Sequence, residues 1–156
     1  MRRKDREITD KSEIIRILNK AMVMRVGFID NDEIYIVPVN FGYEYNDKLV
    51  VFLHGAMDGR KYNLLLDNPK VTIEIDTEHE LLDDNIACKV SYYYSSIIGV
   101  GQSSVVIDDE KKLEIMLNIL KHQTGRDFSL KKEELKRTLV SKIVINKLSC
   151  KSYKKV

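Results

Sequence analysis

The connections between the β-rich segments of this chain are too short to join parallel strands. Apolar residues dominate segments 22–29, 34–41 and 48–53, and only the polar turns at 30–32 and 46–47 interrupt them. Asp and Asn, which form these turns, favour tight reversals of the chain. A parallel crossover needs about a dozen residues or more, whereas a short turn joins antiparallel strands. The sequence therefore predicts an antiparallel meander of three strands.

Further strands are predicted downstream. Residues 71–76 alternate apolar with polar side chains, and residues 139–148 form a last strand-like run. The run 86–107 is too long for one strand, so we expect a break near 91–95. The acidic and polar stretch 78–85 is expected to be a loop.

Helices are predicted around these strands. Asp10 and Glu13 have the spacing of a capping box, which predicts a helix from 11 to 20. A second helix is expected from about 109 to 124, and a basic one over 131–138. The apolar stripe of the second helix comprises Leu113, Met116, Leu117 and Leu120. The element order predicts a mainly β (α+β) fold, a small antiparallel barrel with peripheral helices.

The composition bounds the function. A chain of 156 residues, 44% hydrophobic, fits a single domain over 1–156, and a net charge of +2 gives no argument for nucleic acid. Cys88 and Cys150 lack a pairing pattern, and no apolar run has the form of a signal or membrane span, so we expect a reduced cytoplasmic protein and no membrane partner. No histidines or cysteines share a metal-ligand spacing, so no metal is expected.

The stretch 51–69 joins an apolar strand to a short helix. The strand ends in His54-Gly55-Ala56, and the helix carries Arg60 and Lys61 before Asn68-Pro69 is expected to end it. Backbone N–H groups and cations in this arrangement favour a phosphate site. The alternative is a tight turn with solvated basic residues.

Two irregularities interrupt the predicted strands. Pro38 has no backbone N–H, so it must lie at a sheet edge, at a bulge or beside a bound group. Gly99 and Gly101 remove side chains from one face of their strand, which admits another backbone or a flat ligand, or marks a bend of the barrel. The interior of a small barrel is filled by side chains, so a cofactor would lie outside it or at a subunit contact, which favours a dimer.

Four segments together resemble one known family. They are Tyr35-Ile-Val-Pro-Val-Asn-Phe-Gly-Tyr-Glu44, Phe52-Leu-His-Gly-Ala-Met-Asp-Gly-Arg-Lys61, Asn68-Pro-Lys-Val71 and Ser96-Ile-Ile-Gly-Val-Gly101. In this order they resemble the nitroimidazole-resistance branch of the pyridoxamine 5′-phosphate oxidase-like flavoproteins, over about residues 2–151. The resemblance implies a split β-barrel homodimer that binds FMN, or in some members FAD, in two equivalent clefts made by both subunits.

The resemblance also implies roles for particular residues. It places the flavin ring along Val37, Pro38, Val39 and Asn40. It places the phosphate against His54, Gly55, Ala56 and Lys61, with Arg60 either helping or facing water. It brings Ser95, Ser96 and Ile97 to the flavin across the dimer interface.

His54 has two alternative roles. The resemblance implies that it lies near the flavin, where an imidazole either donates a proton to a reduced product or only hydrogen-bonds the cofactor. His79 and His122 are expected to be surface residues.

Two departures limit the resemblance. The chain lacks the Arg-x-His and Arg-Leu-x-Pro-type ending of authentic pyridoxamine phosphate oxidases, which argues against vitamin B6 synthesis. Cys150 stands where glycine is expected, which leaves a role for the last strand in doubt.

The leading hypothesis is an FMN-dependent reductase of small aromatic or nitro compounds, with a small-molecule substrate. A non-catalytic module that stores or senses flavin, a structural dimer with an empty cleft, and a heme or deazaflavin protein remain alternatives. The sequence identifies neither the electron donor nor the physiological substrate.

Overall fold

The computed structural model describes residues 2–67 and 69–154, so Asn68, predicted to help end the short helix that carries Arg60 and Lys61, lies outside the described residues. Its strands are β1 (Val23–Asp30), β2 (Glu33–Tyr45), β3 (Leu49–Ala56), β4 (Lys70–Leu82), β5 (Ser91–Val105) and β6 (Thr138–Tyr153). Its α-helices are α1 (Lys11–Lys20), α2 (Arg60–Asp67) and α3 (Asp109–Thr124). Short 3-10 turns lie at Lys4–Arg6, Ala87–Lys89 and Lys132–Leu135.

The strands close into an antiparallel barrel in the order β1, β2, β3, β6, β5, β4. The β1–β2 hairpin is paired along its full length, from Val23 opposite Asn40 to Asp30 opposite Glu33. Closure comes from a short ladder in which residues 25–27 of β1 pair with 72–74 of β4. The predicted antiparallel barrel with peripheral helices is confirmed.

The barrel encloses one apolar core, and α3 covers a second. Met24, Phe28, Phe41, Leu53 and Ile73 are among the fully buried side chains of the first core. The second core lies between α3 and the outer side of β3 and β6. Its buried members are Phe52, Val106, Ile115, Met116, Ile119, Leu135 and Val140.

A side-chain cap and a glycine cap fix helix ends where the sequence predicted them. The Asp10 carboxylate accepts from the backbone N–H of Glu13, and α3 ends at Gly125 with φ of 69°. The predicted apolar stripe of α3 is wrong in part. Only Met116 of that set is buried, and the other buried residues are Ile115 and Ile119.

Three element predictions are corrected. β4 continues to Leu82 through the stretch predicted as a loop, because a register shift between Thr77 and Glu80 lets its end pair with β5. β5 runs unbroken from Ser91, since pairing with two neighbours holds it together. The helix predicted over 131–138 is one 3-10 turn, and β6 begins at Thr138.

The two glycines of β5 face the barrel interior. A Cβ atom on Gly99 would lie 3.0 Å from the Ile73 side chain, and one on Gly101 would collide with the Val144 carbonyl group. The sequence had left open another backbone, a flat ligand or a bend of the barrel at these glycines. The structure shows the close approach of neighbouring strands of the barrel itself. No helix within 2–67 and 69–154 is long and apolar enough to cross a membrane.

Candidate functional site

The barrel is split between β2 and β3. The ladder that joins these strands runs from Tyr45 opposite Leu49 to Phe41 opposite Leu53 and stops there. One step further, Asn40 and His54 would face each other, but β2 continues paired only with β1 and β3 only with β6. The two strands therefore leave a cleft with an open backbone edge on the β2 side.

Residues 37–40 form the β2 wall of this cleft. Pro38 lies opposite Arg25 in the ladder with β1 and has no strand partner on its other side among the described residues. Its place at an open edge confirms one of the predicted alternatives for this proline. Val37 and Val39 pack against the barrel core, while Pro38 and Asn40 are exposed.

The opposite wall is the corner where β3 passes into α2. His54, Gly55 and Ala56 end β3, paired with residues 138–140 of β6. The Lys61 Nζ atom donates to the His54 carbonyl oxygen at 3.2 Å. A Cβ atom on Gly55 would lie 2.5 Å from that Nζ atom, so only glycine leaves the ammonium group room over the backbone. We call His54, Gly55, Ala56 and Lys61 the Lys61 corner.

Burial sets the charge states of this corner. It lowers the pKa of the Lys61 ammonium group, and burial together with the nearby Lys61 charge lowers the pKa of the His54 imidazole. Lys61 has no carboxylate partner within the described residues. The corner thus presents a half-buried cation beside a neutral imidazole, which is suited to an anion.

Arg60 faces a different part of the molecule. Its guanidinium donates to Asp30 at 2.6 Å and to Glu33 at 3.1 Å, and its carbon Cζ lies 4.6 Å from the centre of the Tyr35 ring. These contacts tie the start of α2 to the β1–β2 turn. In this arrangement Arg60 positions the corner, while its predicted contact with a phosphate remains a prediction.

Asn40 connects the cleft to the end of α3. Its Nδ2 atom donates to the Gln123 side-chain oxygen at 2.9 Å and to the Met22 carbonyl at 3.1 Å. The Gln123 amide donates in turn to the Phe41 carbonyl at 2.9 Å. Sequence reasoning missed Gln123, because nothing in the sequence links two residues 83 positions apart.

His122 is not the surface residue that was predicted. Its ring nitrogens lie 2.7 Å from the Phe41 carbonyl oxygen and 3.0 Å from that of Leu18, and the ring packs on Phe41. It therefore joins α3 to β2 and α1. His79 is about half exposed and pairs with Asp76 at 2.8 Å.

The predicted residues of β5 lie away from this cleft within one chain. β5 is separated from β2 by β1 and β4 in one direction, and by β3 and β6 in the other. Ser95 and Ile97 are fully buried and point inward, whereas Ser96 points outward. Of the three, only the Ser96 side chain is open to contact with a second subunit, and the flavin contacts across a dimer interface remain predictions.

No group of three or more His, Cys, Asp or Glu side chains capable of holding a metal ion occurs in the part of the chain that the structure describes. The two cysteines are not joined by a disulfide bond. Cys88 is exposed, whereas Cys150 is buried, which raises its pKa to about 11.

A family model described as pyridoxamine 5′-phosphate oxidase matches residues 10–152. The chain belongs to this family. The matched range contains α1 and all but the last residue of the barrel, so the family match covers both walls of the cleft. No curated protein sequence matches the chain.

Solved structures with the same fold agree with the family. A candidate 5-nitroimidazole antibiotic resistance protein from Bacteroides thetaiotaomicron is 30% identical, with a TM-score of 0.80, covering 94% of this chain and 86% of that one. The flavocytochrome Anf3 from Azotobacter vinelandii is 19% identical, with a TM-score of 0.81 and coverages of 99% and 72%. A FAD and heme binding protein from Mycobacterium smegmatis is 15% identical, with a TM-score of 0.82 and coverages of 96% and 74%.

The first structure confirms the resemblance to the nitroimidazole-resistance branch. The other two likenesses, at 19% and 15% identity, show the fold alone.

Proposed function

We propose that this protein binds a flavin nucleotide, FMN or FAD, in the cleft between β2 and β3. The observation that carries the proposal is the half-buried Lys61 ammonium group, whose partner among the described residues is a backbone carbonyl. A cation in this position is stabilised when an anion binds beside it. The flavin phosphate is such an anion. The solved structures that resemble this chain include proteins named as a flavocytochrome and as a FAD and heme binding protein.

The residues of the cleft suit the parts of a flavin. Lys61 and a backbone N–H group of the Gly55-Ala56 turn that faces away from β6 would hold the phosphate, since Gly55 leaves that space free of a side chain. The open edge of residues 37–40 offers backbone groups to the polar rim of the flavin ring. The contacts of Asn40 with α3 would keep that edge in place.

The activity we propose is reduction of small aromatic or nitro compounds, for which the name of the Bacteroides structure is the support. A bound flavin supplies the electron chemistry. This chain's residues orient the flavin and shield one side of it from water. The His54 ring, which carries a single N–H when neutral, would hydrogen-bond the cofactor or a product.

A second candidate is a flavin-binding module without turnover. The lowered pKa of His54 favours it, because a neutral imidazole holds no additional proton to deliver near neutral pH. His54 would then serve only to position the flavin.

The proposed assembly is a homodimer. The outer face of the barrel exposes Ile29, Ile34 and Ile36, which are 56%, 77% and 60% exposed and line a groove of about 510 Å³. Ile98 of β5 also points outward, as does Ser96 two positions before it. Apolar surface of this kind favours association. A two-fold contact across this face would set β5 of one subunit near the β2 edge of the other.

Two measurements test these proposals. The purified protein is expected to show flavin absorption and to release FMN or FAD on denaturation. Once dithionite has reduced the bound flavin without oxygen, an added nitroimidazole is expected to reoxidise the flavin and to be reduced itself. A colourless protein that takes up no added flavin would refute the binding proposal. Bound flavin that no nitroimidazole reoxidises would favour the module.

The dimer is tested by light scattering on the purified protein. Wild type is expected to have twice the mass of the chain, and Ile34→Lys with Ile36→Lys is expected to give monomers, because buried unpaired charges oppose association. Exposed Lys48→Ala is the control. A monomeric wild type would refute the dimer.

A further inference from the structure

A second pocket lies next to the Lys61 corner, beyond Ala56. It has a volume of about 250 Å³ and is lined by Ala56, Met57, Asp58, Lys136 and Arg137. The pairing of Ala56 with Thr138 creates it, because this pairing brings the two basic residues before β6 beside the turn after β3. Ala56 therefore belongs both to this pocket and to the proposed phosphate site.

The pocket contains unpaired positive charge. Lys136 and Arg137 are exposed, and neither forms an ion pair within 2–67 and 69–154. Other cations nearby are neutralised, as Lys132 is by Glu110. Asp58 adds one negative charge to the pocket, which leaves the two cations in excess. An anionic group is the ligand that this balance attracts.

We propose that Lys136 and Arg137 form a subsite for a second phosphate, so that the protein prefers FAD to FMN. This inference rests on the proposed flavin function. FMN ends at the phosphate placed on Lys61, whereas FAD continues with another phosphate and an adenosine. The planar Arg137 guanidinium can bind two phosphate oxygens together. Met57, which is 44% exposed, offers a polarizable thioether to the adenine.

The test compares two ligands that differ only beyond the first phosphate. Dissociation constants of FMN and FAD are measured by flavin fluorescence for the full-length wild type, for Lys136→Ala/Arg137→Ala, and for a control, Lys48→Ala/Lys147→Ala, that removes two exposed lysines outside the pocket. We expect the Kd for FAD to rise at least about tenfold in the pocket variant, and that for FMN by less than about threefold. The control is expected to change neither constant by more than about threefold.

The Asp58 carboxylate gives a test with the opposite sign. Asp58→Asn removes a negative charge that would repel the second phosphate of FAD. The variant is expected to lower the Kd for FAD by about threefold or more and to leave the Kd for FMN nearly unchanged. Unchanged melting temperatures show that the variants are folded.

The outcomes separate the two proposals. Binding of neither flavin by the wild type refutes the proposed function, and this subsite with it. Tight FMN binding without preference for FAD refutes the subsite alone. An equal loss of both flavins in the pocket variant, or an equal loss in the control, also refutes it, because the effect is then one of general charge.

Discussion

The Lys61 corner and the surroundings of Glu78 hold charge in opposite ways. Glu78 accepts from two Arg16 nitrogens at 2.6 and 2.7 Å, from Lys20 at 2.7 Å and from Ser95 at 2.6 Å. Among the described residues, Lys61 makes one hydrogen bond, 3.2 Å long, to a backbone carbonyl. The first arrangement, which we call the Glu78 network, satisfies every strong charge with protein atoms, and the second leaves a charge for a ligand.

The pKa shifts reflect this difference. Hydrogen bonds from Arg16 hold the pKa of the Glu78 carboxyl well below its usual range, whereas burial lowers the pKa of Lys61 and so disfavours its charge. Glu78 also has φ of 64°, an uncommon conformation that its bonds to α1 help to hold at the bulge of β4. The Glu78 network therefore serves the fold, whereas the Lys61 charge, which has no carboxylate partner among the described residues, is the basis of the proposed flavin site.

The largest effect is expected from Glu78→Gln. Removing the carboxylate leaves Lys20 without its acidic partner and Arg16 with Glu13 alone, and breaking a buried ion pair costs about 3–5 kcal/mol. Because the Arg16 and Glu78 side chains are 31% and 23% exposed, we expect the free energy of unfolding to fall by about 2–3 kcal/mol. Urea denaturation measures it.

Glu133→Gln is the control for this variant, because Glu133 is exposed and outside the network. It is expected to change the free energy of unfolding by less than about 0.5 kcal/mol. Equal stability of the two variants would show that the Glu78 network contributes nothing to the fold.

Lys61→Met should show the reverse pattern. Loss of a partly desolvated cation is expected to leave the free energy of unfolding unchanged or slightly higher, while the Kd for flavin rises about 10–100-fold, the usual value of a hydrogen bond to a charged group. Lys20→Met, in the Glu78 network, is the matched comparison. Lower stability together with unchanged flavin affinity in Lys61→Met would remove the distinction between the regions.

Gly55→Ala sharpens the comparison sterically. The new methyl group would meet the mobile end of Lys61, so the ammonium group must move, at a cost in stability below about 1 kcal/mol, while flavin affinity falls several-fold, by about threefold or more. Gly42→Ala is the contrasting variant, because its Cβ would lie 2.9 Å from the Ile119 backbone, which cannot yield easily. Gly42→Ala should therefore lose more stability. Unchanged flavin affinity in Gly55→Ala would argue against a phosphate at this corner.

The smallest effect is expected from the pH dependence of His54. Its folded pKa lies below the ordinary value of 6.5, so the unfolded chain binds the proton more readily. The contribution of neutral His54 to the free energy of unfolding is therefore fully present above pH 6.5, and it is lost as the pH decreases through the folded pKa. Between pH 6.5 and 5, the free energy of unfolding should fall less for His54→Gln than for wild type, and the two decreases should differ by less than about 1 kcal/mol. Urea denaturation at each pH measures both.

His79→Gln controls for a histidine that is about half exposed. If it flattens the pH profile as much as His54→Gln does, the assignment to the Lys61 corner is wrong.

Local patterns predicted most of the elements. The Asp10 cap, the helix that ends at Gly125 and the first hairpin depend on residues close in sequence, and the structure confirms them. It also confirms the antiparallel barrel that the order of elements predicted. The stretch 78–85 was predicted wrongly because its acidic composition suggests a loop. Pairing of Leu81 with Tyr92 makes part of it a strand.

The candidate site was predictable only in outline. The sequence and the family resemblance pointed to the turn after β3, but neither indicated that Arg60 pairs with Asp30 and Glu33 or that Lys61 remains without a carboxylate. Gln123 and the pocket of Lys136 and Arg137 were missed for the same reason. Each depends on segments far apart in the chain.

The sequence by itself determined the helix caps, most of the strands and the family, because turn residues, periodicity and short motifs act over a few positions. Only the tertiary structure decided which charges are satisfied. The pairing of Ala56 with Thr138 brings Lys136 and Arg137 beside the turn after β3, and whether a charge has a partner depends on distances in space.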